Sequence, residues 1–383
     1  MRFHLDPGRG VTLLALHPVF ALTGAADAIT GPLLPSLAHS FALTDSQSGV
    51  LLSAVFAGTA VGALLCRGNY ARVLTLGLLG LACSCTCFVW MTRPLLYPCA
   101  FFFGVGTGAA MTAVSLFTGR NYPERRAATL TLLNFTWSLG AMLAPLLAAR
   151  LMAYASWRAV YAALAVAAAL AALAMGFTLR DSEEAVRPTP ETSGLHNLRL
   201  VALFALFFFM EVGMESTFGA WISTYVLRTV HTTVELAAAA AAIYWAGFLA
   251  VRGLSPLVLS HVSSWRLLRI SLLWVLGAAV LLVASASPLL LVVAIVLAGA
   301  AIAPIFPVAL AAFFDRARHS SDTRFILALS GFGGAFFSWL VGALSARTGS
   351  LREGLLVAPA TLLAMFALLP LLGTRAGSAA DAT

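Results

Sequence analysis

Apolar stretches of about twenty residues follow one another along almost the whole chain, separated by short polar breaks. An α-helix needs about 20 apolar residues to cross the hydrocarbon core of a bilayer. Twelve such stretches are read, at roughly 12–38, 47–66, 72–92, 95–118, 127–152, 158–179, 198–227, 235–257, 266–285, 288–312, 324–346 and 353–373. Composition agrees: of 383 residues, 61% are hydrophobic and 10% charged, whereas a soluble domain is about half apolar and a quarter charged. The expected fold class is an all-α polytopic membrane protein.

The long polar break runs from Arg180 to Arg199, with Pro188, Pro190 and an acidic cluster at Asp181, Glu183 and Glu184. It divides the chain into an N-terminal six-helix bundle (1–179), a cytoplasmic linker (180–197) and a C-terminal six-helix bundle (198–383). The halves echo each other. Gly62-Ala-Leu64-Leu-Cys66-Arg67 ends the second stretch and Gly247-Phe-Leu249-Ala-Val251-Arg252 ends the eighth. A shared G-x-L-x-x-R predicts a parallel repeat with the solute site near the midplane between the halves. Gly62, Arg67, Gly247 and Arg252 are read as a cytoplasmic gate.

The formal net charge of +8 comes from arginine, since the sequence contains no lysine. With the N-terminus inside, only Arg93, Arg150, Arg158, Arg228, Arg347 and Arg352 fall outside. This asymmetry places both termini in the cytoplasm. It accounts for the basic balance without a nucleic-acid partner. Arg2 and Arg9 precede an apolar stretch too long for the 7–15-residue core of a cleavable leader, so none is expected.

Asp27, Glu211 and Glu215 lie deep inside apolar stretches. A charge at the bilayer centre costs roughly 3 kcal/mol on insertion scales, so such groups mark solute or ion paths by default. No arginine is read near the middle of a stretch. The interior is therefore expected to be acidic, which argues against phosphate esters and organic anions. Glu211 and Glu215 are spaced i, i+4 and share a helix face with Phe218. Two carboxylates this close resist ionising together, so one is expected to hold a proton. Trp221 lies about 120° off that face, and a break at Gly219 would bring it round, as in discontinuous transporter helices. Asp27 sits roughly 22 Å along its helix at 1.5 Å per residue. It either faces Glu215 across a cavity or caps backbone freed by Pro32 and Pro35.

Asn134 and Trp137 are spaced i, i+3. An amide can bridge two sugar hydroxyls and an indole can stack on a pyranose; interhelical packing is the alternative for both. Tyr244 and Trp245 are adjacent, so only one can face a cavity. His17, just before Pro18, reads as a solvated residue near the interface more than as a proton relay. Gly104-Val-Gly106-Thr-Gly108 sits in an apolar stretch with no strand before it, so it fails as a nucleotide loop. Its GxxxG spacing suits close helix packing. Cys66, Cys83, Cys85, Cys87 and Cys99 have no flanking metal ligands and read as packing residues. No cofactor and no enzymatic activity are expected, because no nucleophile–base pair or metal cluster is visible.

Several motifs carry a family resemblance. The pattern Gly62-x-Leu64-x-Cys66-Arg67-x-Asn69-Tyr70 resembles the loop 2–3 motif of the major facilitator superfamily, with Cys66 where the family has Asp. Pro123-Glu124-Arg125-Arg126-Ala127 and Ser156-Trp157-Arg158 are similar to other superfamily segments. Leu133–Ala141, Glu215–Trp221 and Ala303-Pro304-Ile305-Phe306-Pro307 resemble the fucose:proton symporter group and its sodium-glucose relatives. Gly108-Ala109-Ala110-Met111 stands where the fucose transporters carry a buried Glu.

The resemblance implies twelve helices in two six-helix bundles and transport by alternating access. The expected cargo is a small neutral hydroxylated solute, coupled to H⁺ or Na⁺. Asp27, Glu215 and Glu211 are expected to carry coupling. Asn134, Trp137, Phe218, Trp221 and Tyr244 are expected to bind solute. The expected setting is the cell (inner) membrane, as a monomer. One rival is proton-coupled efflux of lipophilic cations, although Ala144-Pro145 matches the Gly-Pro signature of drug antiporters poorly. The other is a ligand sensor that does not transport.

Overall fold

The computed structural model describes residues 7–122, 126–179, 198–259, 262–314 and 321–373. The segment 180–197 and the chain ends at 1–6 and 374–383 lie outside the described residues. In the first half α1 is Pro7–Phe41, α2 Asp45–Leu65, α3 Tyr70–Trp90, α4 Leu96–Asn121, α5 Arg126–Met152 and α6 Trp157–Thr178. In the second, α7 is Leu198–Val230, α8 Val234–Leu259, α9 Ser264–Ala284, α10 Pro288–Ile302, α11 Ile305–Phe314, α12 Ser321–Thr348, α13 Leu351–Gly354 and α14 Val357–Gly373. Among the described residues, eleven stretches are long and apolar enough to cross a membrane. Helix α7, with 33 residues, is the twelfth long helix. At 1.5 Å per residue it is about 50 Å long. The protein is a multi-pass membrane protein.

Local chemistry sets the helix limits. Thr44 caps α2, its Oγ1 accepting from the Gln47 N–H at 3.3 Å while Gln47 Oε1 accepts from the Thr44 N–H at 3.0 Å. Such a capping box satisfies two otherwise orphaned donors. Asn69 caps α3 through Arg72 N–H at 3.1 Å. The crossing made by α10 and α11 is broken at Ala303-Pro304, where proline lacks the N–H that would continue the ladder. Pro18, Pro32 and Pro35 lie inside α1 without interrupting it.

The two halves repeat one pattern of helix neighbours. In the first, α1 packs on α5, α2 and α3 on α4, and α3 on α6. In the second, α7 packs on α12, α8 and α9 on α10, and α9 on α14. Counting α10–α11 and α13–α14 as single crossings, each pair recurs six crossings later. The bundles meet along α2–α12 and α5–α8, with α1 against α7 between them.

Lipid supplies no hydrophobic drive for helix association, so close packing of small residues must supply it. Gly58, Gly104 and Gly108 press against the backbone oxygens of Phe101, Val55 and Thr59, which fixes α2 on α4. Gly299 does the same against Tyr244 O between α8 and α10.

Candidate functional site

The bundle interface holds a cavity of about 20 Å³. That is room for about one water molecule. It is lined by Asp27, Thr30 and Gly31 of α1, Phe56 of α2, Glu215, Ser216 and Gly219 of α7, and Trp245 of α8. Asp27 and Glu215 thus face each other from different bundles, within electrostatic reach. They meet here because α1 and α7 cross closely: a Cβ on Gly31 would strike the backbone oxygen of Gly219.

Around this pair lies an aromatic wall with open donors. Trp137 of α5 and Trp245 of α8 meet edge to face, ring centroids 5.6 Å apart. Both indole rings are buried, and neither Nε1–H has a hydrogen-bond acceptor among the described residues. Buried polar groups in native proteins are nearly always paired, so these two orphaned donors need explaining; Trp245 lines the cavity, while Trp137 does not and packs against Trp245. The phenol of Tyr244 donates to the backbone oxygen of Glu215 at 3.3 Å.

One end of the interface is fastened. The guanidinium of Arg228, at the end of α7, donates to both Asp45 oxygens at 2.6 and 2.7 Å. Ser345 of α12 donates to Asp45 Oδ2 at 2.5 Å. Asp45 opens α2, so this bidentate clasp ties the first bundle to two helices of the second. Gly49 and Gly342 pack beside it, where a Cβ on Gly49 would come within 3.1 Å of the Gly342 Cα.

Several expected site residues stand elsewhere. Glu211 is fully buried one turn from Glu215, and neither of its oxygens has a hydrogen-bond partner among the described residues. Trp221 does not turn toward the cavity. Helix α7 is unbroken at Gly219, where a side chain would press on the Trp245 ring of α8, and the Trp221 N–H donates to Ser338 O at 3.3 Å. Phe218 is buried against Tyr244, ring centroids 6.2 Å apart, and does not line the cavity. Asn134 is exposed, its Nδ2 donating to Leu130 O at 2.9 Å. His17 is tied to α5, its Nδ1 lying 2.8 Å from Thr136 Oγ1, so it is not a free interfacial residue. Trp245, which adjacency alone could not separate from Tyr244, is the member of that pair on the cavity wall.

The repeated G-x-L-x-x-R motif splits into different roles. Gly62 and Gly247 are helix-contact points, where an added Cβ would strike Val105 O and Val296 O respectively. Arg67 is exposed just beyond α2. Arg252 lies within α8, which runs on to Leu259. Its guanidinium carbon sits 4.3 Å from the Phe248 ring centroid and 5.9 Å from that of Trp137, and Nη1 donates to Ser138 Oγ at 3.4 Å. Glu211 and Glu215 are within its electrostatic reach. Arg252 stands past the middle of α8 and is partly buried, so the reading of a purely acidic interior does not hold at this end of the interface. The exclusion of anionic solutes on that ground falls with it.

Residues 16–324 match the sequence profile of the Major Facilitator Superfamily. The chain is 25% identical to a glucose/mannose transporter of Bacillus subtilis over 92% of each protein. Its fold superposes on the crystal structure of a D-xylose-proton symporter with a TM-score of 0.79 at 13% identity, covering 94% of this chain and 97% of that one. The fucose:proton symporter of E. coli superposes with a TM-score of 0.64 at 17% identity, covering 95% and 99%.

Proposed function

Because the chain belongs to the Major Facilitator Superfamily, we propose that it is a secondary transporter of a small, neutral, sugar-like solute. It works by alternating access with proton coupling through Asp27 and Glu215. The observation that carries this reading is the cavity itself. It sits between the bundles and joins a carboxyl from each to an indole with a free N–H. Carboxyl groups accept from sugar hydroxyls, the Trp245 and Trp137 N–H groups donate to hydroxyl oxygens, and the indole rings cover the apolar face of a pyranose. The named sugar transport of the B. subtilis relative, which spans nearly the full length, points to the same solute class.

The geometry gives the coupling its physical reason. Sealing two bare carboxylates in a water-excluded interior costs several kcal/mol per ion after relaxation. A proton on the pair offsets that cost, so the loaded carrier closes more readily than the ionised one. The cavity of about 20 Å³ cannot hold a sugar ring, so solute enters only when the bundles part about α2–α12 and α5–α8. The Asp45–Arg228 clasp closes one end, and solute leaves by the other. The halves divide at 180–197, a cytoplasmic linker. Both termini are cytoplasmic, from the arginine distribution, and the chain works as a monomer in the inner membrane. The cation-efflux alternative is weakened because Arg252 already lies over the aromatic rings that would receive a cation.

A thermal-shift panel of hexoses, pentoses, polyols and lipophilic cations tests the solute class. A ligand at 100 times its Kd adds about 2.7 kcal/mol to the folded state. One sugar is expected to raise the melting temperature, more at acidic than at neutral pH. Stabilisation by cations alone would reverse the assignment to efflux. A sodium requirement at constant pH would reassign the coupling ion.

A further inference from the structure

The proposed symport leaves two charged groups unused, Glu211 and Arg252, and their placement is unequal. Arg252 belongs to the second bundle, yet its hydrogen bond goes to Ser138 and one of its two ring contacts to Trp137, both on α5 of the first. The ionisable groups within its reach are Glu211 and Glu215 on α7 and Tyr244 on α8, all in its own bundle. Among the described residues no charged side chain of α5 is within its electrostatic reach, and Thr136 there takes the imidazole of His17. Helix α10, also packed on α8, contains no ionisable residue. On α1, Asp27 faces Glu215 rather than Arg252. Glu211 meanwhile is fully buried without a hydrogen-bond partner among the described residues. Arg252 lies 18 residues beyond the start of α8 at Val234, roughly 27 Å along its axis at 1.5 Å per residue. The clasped end of the interface is near that start, so Arg252 belongs to the opposite end.

We propose that Arg252 is a transferable countercharge that links opening of the unclasped end to release of the coupling proton. While α5 and α8 are packed together, the guanidinium is shared with Ser138 and the Trp137 ring. When the bundles part there, both partners leave with α5. The partners left to it are Glu211 and Glu215. An ion pair stabilises the ionised carboxylate. The carboxylic acid then gives its proton to water on the open side, leaving a carboxylate paired with a guanidinium that remains charged throughout. The paired carrier has less bare charge to seal and can close again without solute. Arg252 acts through the glutamates and is a positioning residue. This inference rests on the symport reading above.

The test uses the purified full chain in liposomes with labelled D-glucose. Two readouts are compared: uptake driven by a pH gradient, and glucose–glucose exchange at equal pH on both sides. Arg252→Gln is expected to keep exchange and lose gradient-driven uptake. The alkaline limb of its exchange profile should move up by about 1–3 pH units, since the carboxyl loses its neighbouring cation. Arg252→Lys should restore uptake in part. Ser138→Ala frees the guanidinium for the glutamates and should move the same limb down, which keeps the test open if Arg252→Gln fails to fold. Gradient-driven wild-type uptake with unmoved limbs in the variants would overturn the role of Arg252 alone. Wild-type uptake indifferent to the gradient would overturn the symport reading, and this inference with it.

Discussion

Replacing Glu215 with Gln is expected to abolish concentrative uptake while sparing exchange of labelled for unlabelled solute. Glutamine keeps the size of the side chain and one acceptor for a sugar hydroxyl. It resembles the protonated acid and cannot discharge. The cavity holds Glu215 opposite Asp27; under the proposed symport the loaded form seals with a proton on this pair and the unloaded form returns after losing it. The variant can seal and reorient with solute bound, which is all that exchange requires. It cannot release a proton at residue 215, so the gradient does no work and inside and outside concentrations equalise. The pH dependence has a definite sign. Wild-type exchange should fall as pH rises and the pair ionises, because bare carboxylates resist occlusion. In Glu215→Gln that alkaline fall should be flattened. Asp27 remains, so the two groups are best read as one titrating pair. Flux assays in liposomes with and without a gradient separate these outcomes. Wild-type accumulation by the variant would remove Glu215 from the coupling path.

The second large effect concerns the fold. Gly104→Ala adds a single methyl group where α4 crosses α2, against the Val55 backbone oxygen with Thr59 N only 2.8 Å away. Backbone atoms cannot swing aside as a side-chain tip does, so the helices must separate. Overpacking of this kind costs typically 1–3 kcal/mol and occasionally more. Gly108 and Gly58 make matching contacts on the same crossing, so separation would loosen several contacts together. Gly277→Ala is the control: it lies inside α9 with nothing within 4 Å of an added Cβ. Its helix should gain up to about 1 kcal/mol from the better helix former. Thermal unfolding in detergent should therefore show Gly104→Ala well below wild type and Gly277→Ala at or above it. Equal melting of the two variants would mean that the α2–α4 contact does not limit stability.

The helices were legible because hydrocarbon imposes one rule on every crossing. The carboxylates stood out for the same reason: polar groups are so costly at that depth that Asp27 and Glu215 could be picked from the sequence, and the structure sets both on one cavity. Side-chain direction was less legible. Plain helical periodicity already put Trp221 off the Glu215 face. The anticipated break at Gly219 was the error, because that glycine makes room for the Trp245 ring and leaves the helix intact. Tyr244 and Trp245 are adjacent and both buried, so only their packing decides which one reaches the cavity.

Arg252, read with Arg67, Gly62 and Gly247 as a gate, had the least legible placement. Its motif is identical to the one holding Arg67, yet α2 stops at Leu65 ahead of Gly68, whose φ of +77° ends the turn, whereas α8 continues to Leu259. The distinguishing signal lay in the two residues after each arginine. Gly68-Asn69 breaks and recaps the chain, while Gly253-Leu254 does not. An arginine carried on through an apolar helix must find partners inside the protein.

The central claim is that a proton gradient drives a sugar through the cavity between the bundles. Its most direct test is uptake of labelled glucose into liposomes containing the purified protein, with the interior more alkaline than the medium and no sodium present. The account expects a transient accumulation above the equilibrium level, erased by a protonophore and absent from empty liposomes. Glucose that enters only to equilibrium, at a rate the gradient and the protonophore leave unchanged, would contradict it.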